Sequence, residues 1–131
     1  MTTQTVSTTF RPARLTYLAL CLLLIACILI QVFLAGMGAL VDARYFAVHK
    51  TFGDWFGLLL PMVAAALLGR FPRGVEPATV GLFLLYALQY VFFELGASLS
   101  FLRAFHVVNA LLMFWSAARL AQAARLGLQD R

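Results

Sequence analysis

The stretch that decides the fold is Leu15–Leu34, which reads LTYLALCLLLIACILIQVFL and holds one strongly polar residue, Gln31. A helix of about 20 apolar residues crosses about 30 Å of hydrocarbon. Arg11 and Arg14 precede the stretch as they would in a signal peptide, but the apolar region of a signal peptide has only about 7–15 residues. We therefore predict an uncleaved membrane-spanning helix.

Three further apolar runs follow, at Phe52–Leu68, Thr79–Leu99 and Phe101–Ala124. The chain is 63% hydrophobic and 11% charged, which is far outside the range of soluble globular proteins. We predict an all-α membrane protein with four transmembrane helices in an up-down-up-down bundle. The predicted parts are a disordered cytoplasmic tail at 1–12, a transmembrane domain at 13–126 with helices at about 13–36, 43–68, 77–99 and 101–125, and a short cytoplasmic tail at 127–131.

The basic residues predict the orientation. Seven of the ten lie at segment ends that a four-span topology places on one side, while Arg44, Lys50 and Arg103 lie on the other. By the positive-inside rule the side with seven is cytoplasmic, and both termini lie there. We therefore expect a multi-pass protein of the cytoplasmic membrane. Its net charge of +5 reflects basic residues at the membrane boundaries, so we expect the lipid bilayer and not nucleic acid as its partner.

Local signals suggest where the helices begin, bend and end. Gly36-Met37-Gly38 predicts the end of the first helix, and Asp42 and Ser100 are expected N-caps of the second and fourth. Pro61 cannot donate a hydrogen bond to the carbonyl of Gly57, so we expect a kink in the second helix.

His49 and His106 are the only two histidines, and each lies six or seven residues past an expected cap. At a rise of about 1.5 Å per residue both lie about 9–10 Å into their helices. The second and fourth helices of such a bundle are parallel and commonly diagonal, so the two imidazoles are expected to face each other across its core. Because histidine is a common haem ligand, we predict that both bind the iron of one haem b.

The neighbours of the histidines suit this prediction. Gly53 and Ala110 follow them by four residues and would leave room for a flat macrocycle, and cations nearby would pair with haem propionates. The predicted cofactor site comprises His49, His106, Arg103, Lys50, Arg44, Gly53, Ala110 and Phe52, with Phe56 and Phe105 as further walls, and with Gln31 or Glu94 orienting an imidazole.

Other interpretations of these residues remain open. Histidines and cations near a membrane boundary often only extend to the interface. A single Zn²⁺ or copper ion is less favoured, because it needs three or four close donors and Glu94 is the one obvious third. A weak internal sequence repeat (below, the internal echo), in which Gln31…His49 parallels Gln89…His106, would place the histidines in equivalent positions.

The topology and the histidine pair resemble one half of haem A synthase, in which two four-helix bundles each present a histidine pair. More loosely they resemble bis-histidine transmembrane b-type cytochromes, and small four-helix bacterial membrane proteins with the helix end seen at Gln31-Val32-Phe33-Leu34-Ala35-Gly36. His49 and His106 match the haem ligands of the synthase. Its catalytic glutamate, three residues before a ligand histidine, corresponds to Phe46, and the outer-loop cysteine pair found in some members of the family is missing here. The resemblance thus implies a haem-binding bundle and not an oxygenase.

Three functions follow as expectations. The first is electron transfer or haem carriage by a bis-histidine protein, with a membrane redox partner or a second copy of the chain. The second is a cofactor-free accessory subunit of a membrane complex. The third is a small proton-coupled transporter that uses Glu94, since a carboxylate inside a membrane span is often functional.

Overall fold

A computed structural model describes residues 10–129, with Phe56 described by its backbone alone. Every regular element in this part of the chain is helical. The elements are α1 (Arg11–Leu40), α2 (Tyr45–Asp54), a 3₁₀ turn (Phe56–Leu58), α3 (Leu59–Gly69), α4 (Val75–Leu95) and α5 (Leu102–Gln129). Of the two predicted tails, residues 1–9 and 130–131 lie outside the described residues.

Within residues 10–129, four helical segments are long and apolar enough to cross a membrane, if α2 and α3 count as one broken segment. Their length and composition indicate a multi-pass membrane protein, as the sequence predicts. A lipid environment favours this architecture because each helix satisfies its own backbone hydrogen bonds.

The predicted end of the first helix is wrong, because α1 continues through Gly36 and Gly38 to Leu40. Gly38 does not end the helix but allows the ring of Phe46 to approach α1 closely. A Cβ built there would lie 2.8 Å from Cδ1 of Phe46, so the missing side chain lets that ring pack on α1. Asp42 also does not cap α2, which begins after Arg44. Its carboxylate accepts hydrogen bonds from Arg44 in the connecting turn, and these lower the pKa of Asp42.

The second membrane segment is broken ahead of Pro61. α2 ends at Asp54, and the 3₁₀ turn separates it from α3. Proline removes the hydrogen bond to the carbonyl four residues earlier, and its ring crowds that carbonyl. That residue is Gly57, the middle of the 3₁₀ turn, so the break lies where the effect of the proline is expected.

The helices form a bundle in which α1 packs on α2, α3 and α5, while α4 packs on α3 and α5. The buried core lies at the end of the bundle that holds α3. It consists of residues from α1, α3, α4 and α5, among them Tyr17, Leu24, Met62, Leu82 and Met113. None of the ten residues of α2 is buried, so the opposite end of the bundle is more open.

A buried arginine closes the α3 end of the core. The guanidinium of Arg14 donates hydrogen bonds to the carbonyl oxygens of Gly69 (2.9 Å), Arg70 (2.7 Å) and Gly127 (2.6 Å). These carbonyls lie at the C-termini of α3 and α5, where helices have unpaired acceptors and a partial negative charge. Arg14 therefore ties three helices together.

Candidate functional site

The two histidines face each other at the open end of the bundle. His49 lies on α2 and His106 on α5, and both side chains are half-buried. Their ring centroids are 6.2 Å apart, with an angle of 64° between the ring planes. The structure thus brings together the two residues on which the predicted site depends.

Each imidazole is held by a main-chain oxygen of the neighbouring helix. Nδ1 of His49 lies 3.0 Å from the carbonyl oxygen of Gln31 on α1, and Nδ1 of His106 lies 3.2 Å from that of Gln89 on α4. A carbonyl oxygen only accepts, so each bond requires a protonated Nδ1. In the neutral ring this leaves the lone pair on Nε2, the atom available to a metal ion.

The surroundings of His106 include a second contact from Gln89. Its side-chain amide, assigned from its hydrogen-bond partners, donates to the carbonyl oxygen of His106 (2.9 Å) and accepts from the amide of Ala110 (3.2 Å). The same amide nitrogen lies 3.1 Å from Nδ1 of His106. The main chain and the side chain of Gln89 therefore favour opposite tautomers of His106, and a metal ion at Nε2 would select the one that donates to the main chain.

A cavity of about 730 Å³ lies around the two rings. This volume is within the range of about 300–1,000 Å³ typical of small-molecule sites. Its wall is mostly apolar, with charged residues from α2, α4 and α5. Eight predicted site residues line it: His49, His106, Gln31, Glu94, Arg103, Lys50, Gly53 and Ala110.

Two predicted site residues do not line this cavity. The side chain of Arg44 is 91% exposed and pairs with Asp42 at 2.7 Å. Phe52 lines a separate surface pocket of about 400 Å³ beside Trp55. Of the further walls predicted, Phe105 is exposed and packs near Phe92, and the side chain of Phe56 lies outside the described residues.

Gly53 lines the cavity, and its lack of a side chain also leaves room for Gln31. A Cβ built on Gly53 would lie 2.5 Å from Nε2 of Gln31, so this space is filled by the glutamine side chain. The carbonyl oxygen of Gly53 accepts a hydrogen bond from the Tyr90 hydroxyl (3.0 Å), which itself lies 3.1 Å from the Tyr86 hydroxyl. Gly53 thus joins α2 to both α1 and α4.

The charged residues that line the cavity differ in their contacts. Lys50 lies 3.4 Å from Asp54 on the exposed face of α2. The stem of Arg103 packs against Gly96, where a built Cβ would lie 2.5 Å from Cγ of the arginine. Glu94 is exposed and lines the cavity without an ion pair within residues 10–129.

Residues 10–129 contain no group of three or more histidine, cysteine or acidic side chains placed to hold a metal ion. Two imidazoles do not complete a protein zinc site, which needs three or four donors. They are sufficient for haem, because the macrocycle supplies the four equatorial nitrogens and the protein only the axial ones. The donor set therefore fits haem iron better than a free metal ion.

Sequence reasoning did not assign roles to Gln89, Asn109 and Tyr90. Asn109 is buried and donates from Nδ2 to the carbonyl oxygen of Leu85 (2.7 Å), so it fastens α5 to α4 beside His106. The internal echo was a usable signal for Gln89, because it paired this residue with Gln31. No comparable signal marks Tyr90, whose partner is a main-chain oxygen.

The comparisons with known proteins give one match. The model of a family of unknown function, DUF6220, matches residues 31–97, a region that begins at Gln31 and includes His49, Gln89 and Glu94. No curated protein and no solved structure matches the chain. Because the matched region covers half of the sequence, the chain belongs to the DUF6220 family.

Proposed function

We propose that this protein binds one haem b between His49 and His106 and serves in electron transfer or haem carriage within the membrane. The observation that carries the proposal is the matched pair of imidazoles. Both rings are held through Nδ1 by a main-chain carbonyl, which is how metal-binding histidines are commonly oriented. His49 therefore has its lone pair on Nε2, and His106 has it there in the tautomer that donates to the carbonyl oxygen of Gln89.

The distance between the rings supports the same ligand. A metal–imidazole bond is about 2 Å long and the bound nitrogen lies about 1.2 Å from the ring centre, so two imidazoles on opposite sides of one ion have centres about 6 Å apart. The observed separation is 6.2 Å. This separation is compatible with both imidazoles binding one iron.

The cavity supports a flat, largely apolar ligand with acidic groups. Its apolar wall would exclude water from the macrocycle, and Arg103 and Lys50 at its edge would pair with the propionates. Arg44 is not part of this set, because it pairs with Asp42 outside the cavity. When bound, the haem would supply a one-electron couple, and the protein would hold both axial positions.

The membrane setting belongs to the proposal as well. We infer an up-down-up-down bundle in the cytoplasmic membrane with both termini in the cytoplasm, from the distribution of the basic residues. The haem would then lie toward the outer side of the membrane, where a membrane redox partner or a second copy of the chain would exchange electrons with it. Phe46 at the position of the synthase glutamate argues against an enzyme of that type.

An absorption spectrum of the detergent-purified protein tests the proposal. We expect sharp α and β bands after reduction with dithionite, and expect His49→Ala and His106→Ala each to abolish this six-coordinate spectrum. Arg103→Ala is expected to weaken haem binding. Arg44→Ala is the matched control, since it removes an arginine outside the cavity and is expected to leave the spectrum unchanged. A native protein that stays colourless after haem addition refutes the proposal and favours the cofactor-free accessory subunit.

A further inference from the structure

The two proposed ligands are supported by helices of very different stability. His49 lies on α2, a ten-residue helix with no buried residue. Beyond Asp54 the chain passes through Trp55 and the 3₁₀ turn Phe56–Leu58 before it reaches the buried residues of α3. Short 3₁₀ segments within a helix often mark hinges, and few buried contacts are typical of segments that open at low free energy.

His106 lies on a far better supported element. α5 has 28 residues and packs on both α1 and α4. Around His106 the side-chain amide of Gln89 bonds the main chain of His106 and of Ala110, and buried Asn109 bonds the carbonyl of Leu85. Displacement of His106 would break all of these bonds.

The corresponding support for His49 is weaker. The side chain of Gln31 does not repeat what Gln89 does, because its buried Oε1 has no hydrogen-bond partner among the described residues. On the side facing α4, α2 is held by the bond from the Tyr90 hydroxyl to the carbonyl of Gly53. Displacement of His49 would therefore cost its own bond to the Gln31 carbonyl, the Tyr90 bond and the packing of the Phe46 ring on Gly38 of α1.

We propose that His106 would be the permanent ligand of a bound haem and His49 the exchangeable one, and that α2 would swing about Trp55–Leu58 to admit a small uncharged ligand on the His49 side. This inference rests on the proposed function. Phe46, Ala47 and Val32 line the cavity together with His49, and carbon monoxide, a small neutral molecule that suits an apolar wall, is the probe for this position.

Carbon monoxide binding to the two histidine variants tests the asymmetry. We expect haem-loaded His49→Ala to retain most of its haem, to become five-coordinate on reduction and to bind carbon monoxide fully. We expect His106→Ala to bind haem at least about tenfold more weakly than His49→Ala does. Equal haem loss from the two variants, or retention by His106→Ala instead, overturns this inference but leaves the proposed function standing.

Hydrogen exchange of the haem-free protein gives a readout that does not depend on haem. The amides of α2 should exchange at least about tenfold faster than those of the first ten residues of α5. Tyr90→Phe removes one hydrogen bond and should speed exchange in α2 about fivefold, the value of one net bond. Tyr45→Phe on α2 is the matched control and should leave it unchanged. Equal exchange in α2 and α5 overturns the inference, and a native protein that takes up no haem overturns the proposed function together with it.

Discussion

Replacement of Arg14 should destabilise the bundle more than replacement of any exposed cation. The Arg14 side chain is only 8% exposed and donates three hydrogen bonds, to the carbonyl oxygens of Gly69, Arg70 and Gly127. A hydrogen bond from a charged group has a net value of about 1.5–3 kcal/mol, which gives roughly 4–9 kcal/mol for three bonds as an upper bound. Its removal also relieves the desolvation of the guanidinium, so we expect Arg14→Ala to lower the free energy of unfolding by about 3–5 kcal/mol.

The assay is unfolding in mixed detergent and SDS micelles, followed by circular dichroism. Arg14→Lys should recover only part of the loss, because an ammonium group cannot reach three carbonyls with the planar fork of a guanidinium. Arg11→Ala is the control, since Arg11 is exposed on the same helix and its loss should change the free energy of unfolding by less than about 0.5 kcal/mol. An Arg14→Ala protein within about 1 kcal/mol of the native one would refute the assignment of Arg14 as the residue that ties the helix ends.

Two further predictions concern contacts on either side of the core. The Tyr17 hydroxyl lies 2.5 Å from Oγ1 of Thr79, so a double-mutant cycle of Tyr17→Phe and Thr79→Val in the same unfolding assay should give a coupling of about 1 kcal/mol, and additive effects would contradict this bond. Gly53→Ala should weaken haem binding in a titration, because its Cβ would lie 2.5 Å from Nε2 of Gln31 and displace that side chain beside His49. Gly36→Ala meets no atom within 4 Å and should leave haem binding unchanged while stabilising α1 by up to about 1 kcal/mol.

The four membrane segments could be predicted from sequence because the bilayer leaves a chain few other solutions. About 20 apolar residues in a row must form a helix there, whatever the tertiary contacts are. The helix ends were less predictable, since they depend on those contacts. Gly36 and Gly38 have the composition of a helix end, yet α1 passes through both, and Gly38 is needed for the ring of Phe46.

The histidine pair could be predicted from depth along the helices, but its supports could not. Counting residues places His49 and His106 at equal depth, and the structure has their rings 6.2 Å apart. Their partners are the main-chain oxygens of Gln31 and Gln89, and a main-chain oxygen has no sequence signature. Arg14 is a similar case, because the helix ends that it binds are far from it in sequence.

The break in the second segment connects the fold with the proposed chemistry. Without Pro61, one continuous helix would join His49 directly to the buried residues of α3. With Pro61, the part of the segment after the break still packs into the core, as buried Met62 shows, while α2 before it has no buried residue. The two imidazoles therefore share the same kind of main-chain hydrogen bond, but His49 lies on the helix that has no buried residue. A protein that only needed a fixed six-coordinate haem would gain nothing from this difference, whereas one that must release haem or admit a small ligand requires one side of the site to yield first.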